Sequence, residues 1–387
     1  MQTSDVFELL RDGRPRTKAQ LAEAMGLARS TVAARVEVLM RLGLVVPHGD
    51  ARSTGGRPPS LFAMNPSARV VAAVDLGATH AVAALTDLSG TVLGETREAL
   101  DIADGPDVVL AWVAAAVEGL LRRTKRPVSD LIAMGIGLPG PVEHSTGRPI
   151  NPPIMPGWDR YDVPAHLQRT FPVPVLIDND VNIMALGEQR THLPDVPDLI
   201  FLKVATGIGA GIISGNQLQR GAQGTAGDLG HVRVARADGV LCRCGNEGCL
   251  EAVAAGPALA ASLQELEVGA ATTQDVIDLV RQGDRAALQV VRQAGRDIGE
   301  VVATSVNLLN PSFVVIGGRL ADAGEHLLAG IREVVYQRSL PLATQHLQVV
   351  ASRAGAHAGV LGAAFLAIDH ALSPEAIEAA SARVASA

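Results

Sequence analysis

The hydrophobic positions near the start of the chain recur at the three- and four-residue spacing of amphipathic helices. A first helix is predicted around Val6 and Phe7, and it ends before Gly13. Thr17 is placed to cap a second helix, and Gly26 to turn the chain into a third. The predicted inward residues of the second and third helices are Leu21, Ala22, Met25, Val32, Val36 and Leu39.

The outward face of the third helix carries small and basic side chains, which suit a helix that enters a major groove about 12 Å wide. Residues 44–46 and 61–63 then alternate like two strands, and the loop between them presents Arg57 in an extended Gly-Arg-Pro sequence that suits a narrow minor groove. The predicted DNA-binding residues are Arg29, Ser30, Thr31, Arg35 and Arg57. The segment resembles the winged helix-turn-helix heads of bacterial repressors. The alternative is a small helical domain that binds protein.

After residue 66 the pattern changes to short buried strands that alternate with helices, as in an α/β body. Three of the strands, at residues 70–74, 199–204 and 314–316, run into glycine-rich turns. Glycine lets the backbone approach phosphate closely, and an Asp at such a turn can hold a metal-bound water. The nucleotide-binding candidates are Asp75, Gly77, Thr79, Thr206, Gly207, Gly317 and Gly318. The alternative is that these are ordinary turns of an α/β sheet.

Length and charge narrow the class of protein. The chain has 387 residues, of which 48% are hydrophobic and 19% charged, so two or three globular domains are expected. We find no candidate transmembrane helix or signal peptide and expect a cytoplasmic protein without a membrane partner. Through residue 66, nine Lys and Arg face six Asp and Glu, a net charge of about +3, whereas the remainder has 24 against 34, about −10. A basic head on an acidic body predicts that only the head meets nucleic acid.

A polar turn at residues 178–182 follows a buried strand and precedes a helix. Asp180 in this turn fits a general base for a sugar hydroxyl that attacks the γ-phosphate of ATP. Asn179 would hold a neighbouring hydroxyl. The alternative for Asp180 is a helix N-cap, which is a common role for Asp.

All three cysteines of the chain fall within eight residues, and one His lies just upstream. His231, Cys242, Cys244 and Cys249 form a complete tetrahedral ligand set for zinc, which leaves no position for a catalytic water. The alternative is three free buried thiols, and the clustering favours the metal. A structural zinc would stiffen the segment that carries these residues.

Beyond residue 66 the chain resembles the ROK family of repressors, open reading frames and sugar kinases, over about residues 69–370. The resemblance rests on Gly-Asp-Leu-Gly-His at 227–231, on the cysteine segment at 242–251, and on the earlier Pro-Gly-Pro and Asp-Asn-Asp-Val-Asn motifs. It implies a two-lobed α/β body of the actin-like, sugar-kinase (ribonuclease H-like) type. The sugar-binding residues that it implies are Asp159, Asn179, Asp180, Asp228, His231 and Glu251. It also implies that His231 serves zinc by one ring nitrogen and the sugar by the other.

The chain departs from the kinase pattern of that family at the phosphate loops. Active kinases usually carry Gly and Lys where this chain has Ala78 and His80, and Gly where it has Ala205. A methyl group and a lost positive charge both weaken a phosphate cradle. Asp228 stands where a longer Glu is more common. We therefore expect a sugar sensor; the alternatives are a sugar kinase that uses ATP and Mg²⁺, and a regulator driven by a protein partner.

The sequence thus predicts a multi-domain transcriptional regulator, most simply a repressor of carbohydrate-metabolism genes. Its predicted domains are a winged helix-turn-helix at 1–66, a first lobe at 67–190 that a final helix at 370–387 completes, and a second lobe at 191–369 with the zinc knuckle. The expected partners are a double-stranded DNA operator and a small sugar effector. A homodimer or a dimer of dimers is expected, because winged helices usually read two half-sites about 34 Å apart.

Overall fold

The head is built on the apolar faces that the sequence predicts, and its three helices enclose a common core. The computed structural model describes residues 2–50 and 59–385. The elements of the head are α1 (Thr3–Leu10), β1 (Arg16–Thr17), α2 (Lys18–Met25), α3 (Arg29–Arg41), β2 (Val45–Asp50) and β3 (Ser60–Met64). The Thr17 hydroxyl caps α2 by accepting a hydrogen bond from the Gln20 amide at 3.2 Å, and Gly26 ends the helix in a left-handed conformation. Both predicted roles are confirmed. The three strands form an antiparallel sheet in the order β1-β3-β2, in which β1 was not predicted.

The first lobe contains a five-stranded mixed sheet in the order β10-β7-β4-β5-β6. Strands β4 and β5 are buried along their whole length, because α4 and a helix near the C-terminus cover the two faces of the sheet. The elements of this part of the chain are β4 (Val70–Leu76), β5 (Ala81–Asp87), β6 (Val92–Glu98), α4 (Pro106–Arg123), β7 (Leu131–Leu138), β8 (Val142–Glu143), β9 (Arg148–Pro149), α5 (Val163–Gln168) and β10 (Val175–Asn179). The chain then enters α6 (Asp180–His192).

The second lobe contains a five-stranded sheet of the same topology, in the order β13-β12-β11-β14-β15. In both lobes three consecutive antiparallel strands lie on one side, and two further strands run parallel to the first of the three. Its elements are β11 (Leu199–Val204), β12 (Ile208–Ser214), β13 (Gln217–Gln219), α7 (Glu251–Ala254), α8 (Gly256–Glu265), α9 (Thr273–Arg281), α10 (Arg285–Leu309), β14 (Phe313–Gly317), α11 (Glu325–Arg338), α12 (Pro341–Thr344) and β15 (Gln348–Ala351). Two more helices follow, α13 (Ala358–Ala371) and α14 (Pro374–Ala385). The repeated sheet confirms the predicted two-lobed body of the actin-like and sugar-kinase type.

Helices α6 and α13 cross with their backbones in contact, and glycine makes this approach possible. A Cβ on Gly362 would lie 1.6 Å from the carbonyl oxygen of Ile183, and one on Gly187 would lie 2.0 Å from that of Ala358. In the C-terminal half of α6, the buried carboxylate of Glu188 accepts hydrogen bonds from the Ser352 hydroxyl and from two amides of the turn that leads into α13. Helix α6 also packs on β12 of the second lobe, so it is held by both lobes.

The C-terminal helices differ from the prediction. Helix α13 lies on the first-lobe sheet, although its residues were assigned to the second lobe, and α14 packs on α1 and α3 of the head instead of completing the first lobe. The apolar side chain of Ile377 is buried in the head-side core, and Glu378 accepts a hydrogen bond from the Ser4 amide at 2.7 Å. The reason is that α13 and α6 together cover that face of the sheet, which leaves the apolar face of α14 to cover the head.

Among the described residues, no single helix is both long and apolar enough to cross a membrane. One bent pair, residues 355–371 and 374–384 at an angle of 48°, meets the requirement by length and composition taken together. Its first member is the core helix α13, which is packed between the first-lobe sheet and α6.

Candidate functional site

The first turn of α3 presents the predicted DNA-binding side chains to solvent. Arg29, Ser30 and Thr31 are exposed, and Arg35 one turn later is partly buried. The opposite face of the helix places Val32, Val36 and Leu39 in the core. Exposure of the N-terminal turn is what a recognition helix requires, because that turn meets the base edges in the groove. Arg57 lies outside the described residues, so its role stays a prediction.

The four predicted metal ligands lie together and form a cluster that we call the Cys₃His cluster (His231, Cys242, Cys244 and Cys249). Their ligand atoms all lie within 4.8 Å of one another. The Nδ1 atom of His231 is 3.7 Å from the Cys242 sulfur, and the sulfurs of the other two cysteines are also 3.7 Å apart. Two sulfurs bound to one tetrahedral zinc would lie about 3.8 Å apart. The geometry and the donor atoms therefore fit a tetrahedral metal ion of the zinc type.

The environment of the thiols disfavours the charged form of two of them. Burial, followed by contacts with the other two sulfurs, raises the pKa of Cys249 to about 12, and burial also raises the pKa of Cys242. The backbone amide of Asn246 lowers the pKa of the more exposed Cys244. Thiols with raised pKa values bind a metal as thiolates only when the ion supplies compensating positive charge.

Strand β12 contacts the segments that carry Asp180, Asp228 with His231, and Glu251, and we call the region around these residues the cleft. The Ile208 amide at the start of β12 donates to Glu251 at 3.0 Å. Further along the strand, the Ala210 amide donates to the Gly227 carbonyl, and this anchors the segment that carries Asp228 and His231. The first turn of α6, which begins at Asp180, packs against the glycines of the same strand. Residues from three separate segments therefore meet around one strand.

The orientation of His231 is compatible with two roles. Its Nδ1 atom faces the thiols, whereas its Nε2 atom lies 3.9 Å from the carboxylate of Asp228. The side chain of Asp228 is 57% exposed, so it is accessible from solvent. One imidazole thus connects the Cys₃His cluster to the cleft.

Two of the predicted sugar contacts use their side chains locally. Asn179, and not Asp180, is the N-cap of α6: its Oδ1 accepts from the Val181 amide at 2.9 Å, while its Nδ2 donates to the Gly140 carbonyl at 3.0 Å. The N-cap alternative for Asp180 is therefore wrong, because that residue is already the first of the helix. Asp159 is exposed and accepts from the Asn151 amide at 2.8 Å.

The sequence analysis missed Lys203, a partly buried residue near the end of β11. Its ammonium donates to the Oδ2 atom of Asp180, whose side chain is only 5% exposed. Burial lowers the pKa of Lys203, but the charge of Asp180, the hydrogen bond to Asp180 and the charge of Asp75 together outweigh burial, and the net shift is upward. Lys203 is one of only three lysines in the chain, and that rarity was the available signal.

Asp75, at the end of β4, belongs to the same charged group. Burial, followed by the negative charge of Asp180, raises the pKa of Asp75 to about 7, and the positive charges of Lys203 and Arg97 only partly oppose this. Its carboxyl group lies directly against Gly359 in the first turn of α13. Asp75 therefore takes up a proton on folding at mildly acidic pH.

Because the folded-state pKa of Asp75 is raised above its usual 3.8, its contribution to stability is full below about pH 4 and is lost as the pH rises through about 7. We expect Asp75→Asn, which keeps the shape of the neutral acid, to raise the free energy of unfolding at pH 8 by about 1–3 kcal/mol and to change it little near pH 4. Urea unfolding at both pH values measures the difference. Asp104→Asn, the same change at an exposed position of the first lobe, is the control. A gain that does not depend on pH would contradict the assignment.

The three glycine-rich loops are occupied by the protein's own groups. The imidazole of His80 covers Gly77, where an added Cβ would lie 2.1 Å from a ring carbon. In the second loop the Ile208 amide is already used by the Glu251 carboxylate. In the third loop, Gly317 packs on the ring of Phe201, with 2.3 Å to an added Cβ. Gly77 and Gly317 thus have packing roles, and the Ile208 amide has a hydrogen bond, that require no nucleotide.

A second missed residue is Asp178, the first acid of the polar turn. Its side chain is 3% exposed and accepts from Arg220 at 2.7 Å and from Asn182 at 2.8 Å. The ion pair fastens the loop around residue 220 to the N-terminal turn of α6, which makes Asp178 a positioning residue for the cleft.

A cavity in the second lobe does not coincide with these residues. It has a volume of about 640 Å³ and lies in the second lobe beside α8 and α10, with three arginines in its lining. Arg236 is paired with Asp297, and Arg292 and Arg296 share Glu333. Because each guanidinium already has a carboxylate partner, the positive charge of this cavity is largely neutralised.

A winged helix-turn-helix head on a two-lobed sugar-kinase-like body defines a class of DNA-binding transcriptional regulators. The ROK family profile matches residues 71–370, and a profile described as winged helix-turn-helix DNA-binding matches residues 6–46. The chain belongs to the ROK family. It is 31% identical to the xylose repressor of Caldicellulosiruptor bescii over 95% of each chain.

Solved structures give the same division into head and body. The crystal structure of a ROK family transcriptional regulator, a homologue of the Escherichia coli Mlc protein, superposes with a TM-score of 0.85 at 25% identity and covers 98% of each chain. A ROK family glucokinase from Streptomyces griseus, in complex with glucose and AMPPNP, superposes with a TM-score of 0.66 at 31% identity. It covers 77% of this chain and 99% of its own. Regulators therefore match the whole chain, whereas this kinase matches a part of it.

Proposed function

We propose that this protein is a sugar-responsive repressor of carbohydrate-metabolism genes, which binds an operator through its head and a small neutral sugar in the cleft. The observation that carries the proposal is the direct connection between the two. Helix α6 begins in the cleft at Asp180 and carries Arg190 in its last turn. Asp369 of α13 accepts from Arg190 at 2.8 Å and from Arg11 of the head at 2.7 Å.

In this proposal the sugar binds in the cleft through the hydroxyl pattern that its polar groups recognise. Asp180, Asp228 and Glu251 accept hydrogen bonds from the hydroxyls, and the Nε2 atom of His231 adds a contact. Asn179 and Asp159 contribute at the first-lobe side, where both are partly or fully exposed. Charge-assisted bonds of this kind discriminate between sugars that differ in one hydroxyl.

We propose that the Cys₃His cluster holds one structural zinc ion. Zinc in such a ligand set stabilises the fold and takes no part in a reaction. This chain's own contribution is geometric: the cluster fixes the ring of His231, and through it the segment that carries Asp228 and leads back to Glu251.

A change in the angle between the lobes reaches the head through α6. The ten residue steps from Asp180 to Arg190 span about 15 Å along the helix axis. Because the backbones of α6 and α13 are in direct contact at their crossing, the two helices move together. Asp369 on α13 then transmits the movement to Arg11 of the head through their ion pair. If sugar binding shifts the equilibrium between two lobe angles by about 2.7 kcal/mol, the ratio of the two conformations changes about a hundredfold. Operator affinity follows, because only one of the two conformations holds the heads at the right spacing. We propose that two such chains act as a dimer in the cytoplasm, where the operator lies.

A second candidate function is an ATP-dependent sugar kinase that carries a DNA-binding head. The buried carboxylate of Asp180 and the likeness to a glucokinase bound to glucose and AMPPNP favour it. Against it stand the paired Lys203, the covered Gly77 and the Glu251 carboxylate on the second loop.

The deciding experiment measures operator affinity of the full chain with and without D-xylose, D-glucose and N-acetylglucosamine, together with ADP release in the presence of ATP and Mg²⁺. We expect one sugar class to change operator affinity at least tenfold, or about 1.4 kcal/mol, without ADP release above background. Asp180→Asn should still bind the operator but lose this response, because the charged sugar contact is gone.

Two variants complete the design. Asp369→Asn should bind the sugar and the operator yet show a weakened response, because it lacks the charged bridge to the head. Asp104→Asn, the exposed control, should behave like the unmodified protein. Sugar-dependent ADP release by the unmodified protein, abolished in Asp180→Asn, would replace the sensor by the kinase.

A further inference from the structure

Lys203 lies where the two lobes and the glycine-rich loops that follow β4 and β11 converge. It is the penultimate residue of β11, level with Gly209 on β12 and with Gly317 on β14. Residues at the same level of a sheet point to the same face, and this face is the one on which an added Cβ at Gly209 would touch Val181 of α6. The lysine side chain therefore lies between two positions without side chains, and it reaches Asp180.

The charges around this side chain need a cation. Asp180 is 4% exposed and Asp75 is 9% exposed, and each lies within electrostatic reach of the other and of Lys203. Two buried carboxylates repel each other unless positive charge is placed beside them. The other basic groups whose charge reaches Asp75 or His80 are the guanidinium groups of Arg97 and Arg319. Of the described basic groups, Lys203 alone makes an ion pair with Asp180.

A divalent cation would otherwise suit this position. Mg²⁺ and Mn²⁺ bind carboxylate oxygens and bring the phosphates of a nucleotide with them. Here the Oδ2 atom of Asp180 is already taken by the ammonium group. Any dication would also have to approach a fixed positive charge.

We propose that Lys203 is a built-in cation that takes the place of a divalent metal ion beside Asp75 and Asp180, so that the cleft accepts an uncharged sugar alone and excludes a metal–nucleotide complex. Lys203 is then a residue that determines the specificity of the cleft. The covered Gly77 and the occupied Ile208 amide agree with this role, since neither loop offers its backbone to a phosphate. The inference deepens the proposed function and rests on it for the identity of the cleft.

The test uses the zinc-loaded full chain and Mn²⁺ as the probe, because Mn²⁺ binding is counted directly by electron paramagnetic resonance. The unmodified protein should take up no Mn²⁺ at the cleft. Lys203→Met, which keeps the length of the side chain and removes the charge, should bind one Mn²⁺ per chain, with a gain in affinity of at least about tenfold. Adding Asp75→Asn to this variant should abolish the gain. Lys203→Arg should bind no Mn²⁺, because the positive charge remains.

The control is Lys125→Met, which removes the same charge at an exposed position of the body. If Lys203→Met is less stable, millimolar Mn²⁺ should raise its unfolding temperature and leave that of Lys125→Met unchanged. Equal Mn²⁺ binding by the unmodified protein and Lys203→Met would overturn the proposal, as would a Lys203→Met variant that neither binds Mn²⁺ nor is stabilised by it. Operator affinity and its response to sugar are measured separately, so failure of the repressor proposal would show there.

Discussion

Cys249→Ser should lose most of the bound zinc, of which the unmodified protein is expected to hold about one ion per chain. Cys249 is 2% exposed and lies next to Leu250 in the second-lobe core, so the loss of the metal leaves a buried polar group without a partner. Removal of a structural metal typically costs several kcal/mol of unfolding free energy. We also expect a weaker response to sugar, because the ring of His231 and the segment before Glu251 lose their anchor, although Cys249 itself contacts no sugar in the proposal.

Zinc content by atomic absorption, thermal unfolding and sugar-dependent operator binding are the three measurements. Cys244→Ser is the matched variant: it removes an equivalent ligand at an exposed position, so zinc should fall while the packing penalty is smaller. A chelator should destabilise the unmodified protein and have little further effect on Cys249→Ser. Zinc-free protein with full stability and a full sugar response would show that the cluster has no structural role.

Operator affinity should fall about 10- to 100-fold in Arg29→Ala, which corresponds to about 1–3 kcal/mol for a contact to a base or phosphate. Arg29 is the first residue of α3 and is exposed, so it stands where a recognition helix meets the groove. If the contact is to a phosphate, the dependence of affinity on salt should flatten by about one counterion.

Arg41→Ala is the matched control, because it removes the same charge from the opposite end of the same helix. Arg41 is exposed and lies about 18 Å from Arg29 along the helix axis. Fluorescence anisotropy with an operator fragment at several salt concentrations separates the two variants. Equal losses in both would indicate a general effect of net charge and would argue against a recognition helix.

Local patterns along the chain were sufficient for the features that depend on neighbouring residues. Thr17 and its cap, the turn at Gly26 and the inward face of α3 follow from the spacing of apolar residues over one or two turns. The Cys₃His cluster could be predicted because all its ligands fall within 19 residues, from His231 to Cys249, and the number and type of donors define the metal chemistry. The family, the two-lobed fold and the regulator class also followed from motifs of this local kind.

The pairing of distant elements was decided only by the tertiary structure. Lys203 meets Asp180 because β11 and the start of α6 come together, and nothing in the spacing between those residues in the chain indicates that contact. In the same way, α14 could cover either the first lobe or the head, since its apolar face fits any open hydrophobic surface. Helices α13 and α6, which glycines allow to approach closely, cover the first-lobe sheet and leave the head to α14. Hydrophobic burial is non-directional. The sequence therefore determines which faces must be buried, whereas packing in three dimensions determines which surface covers each of them.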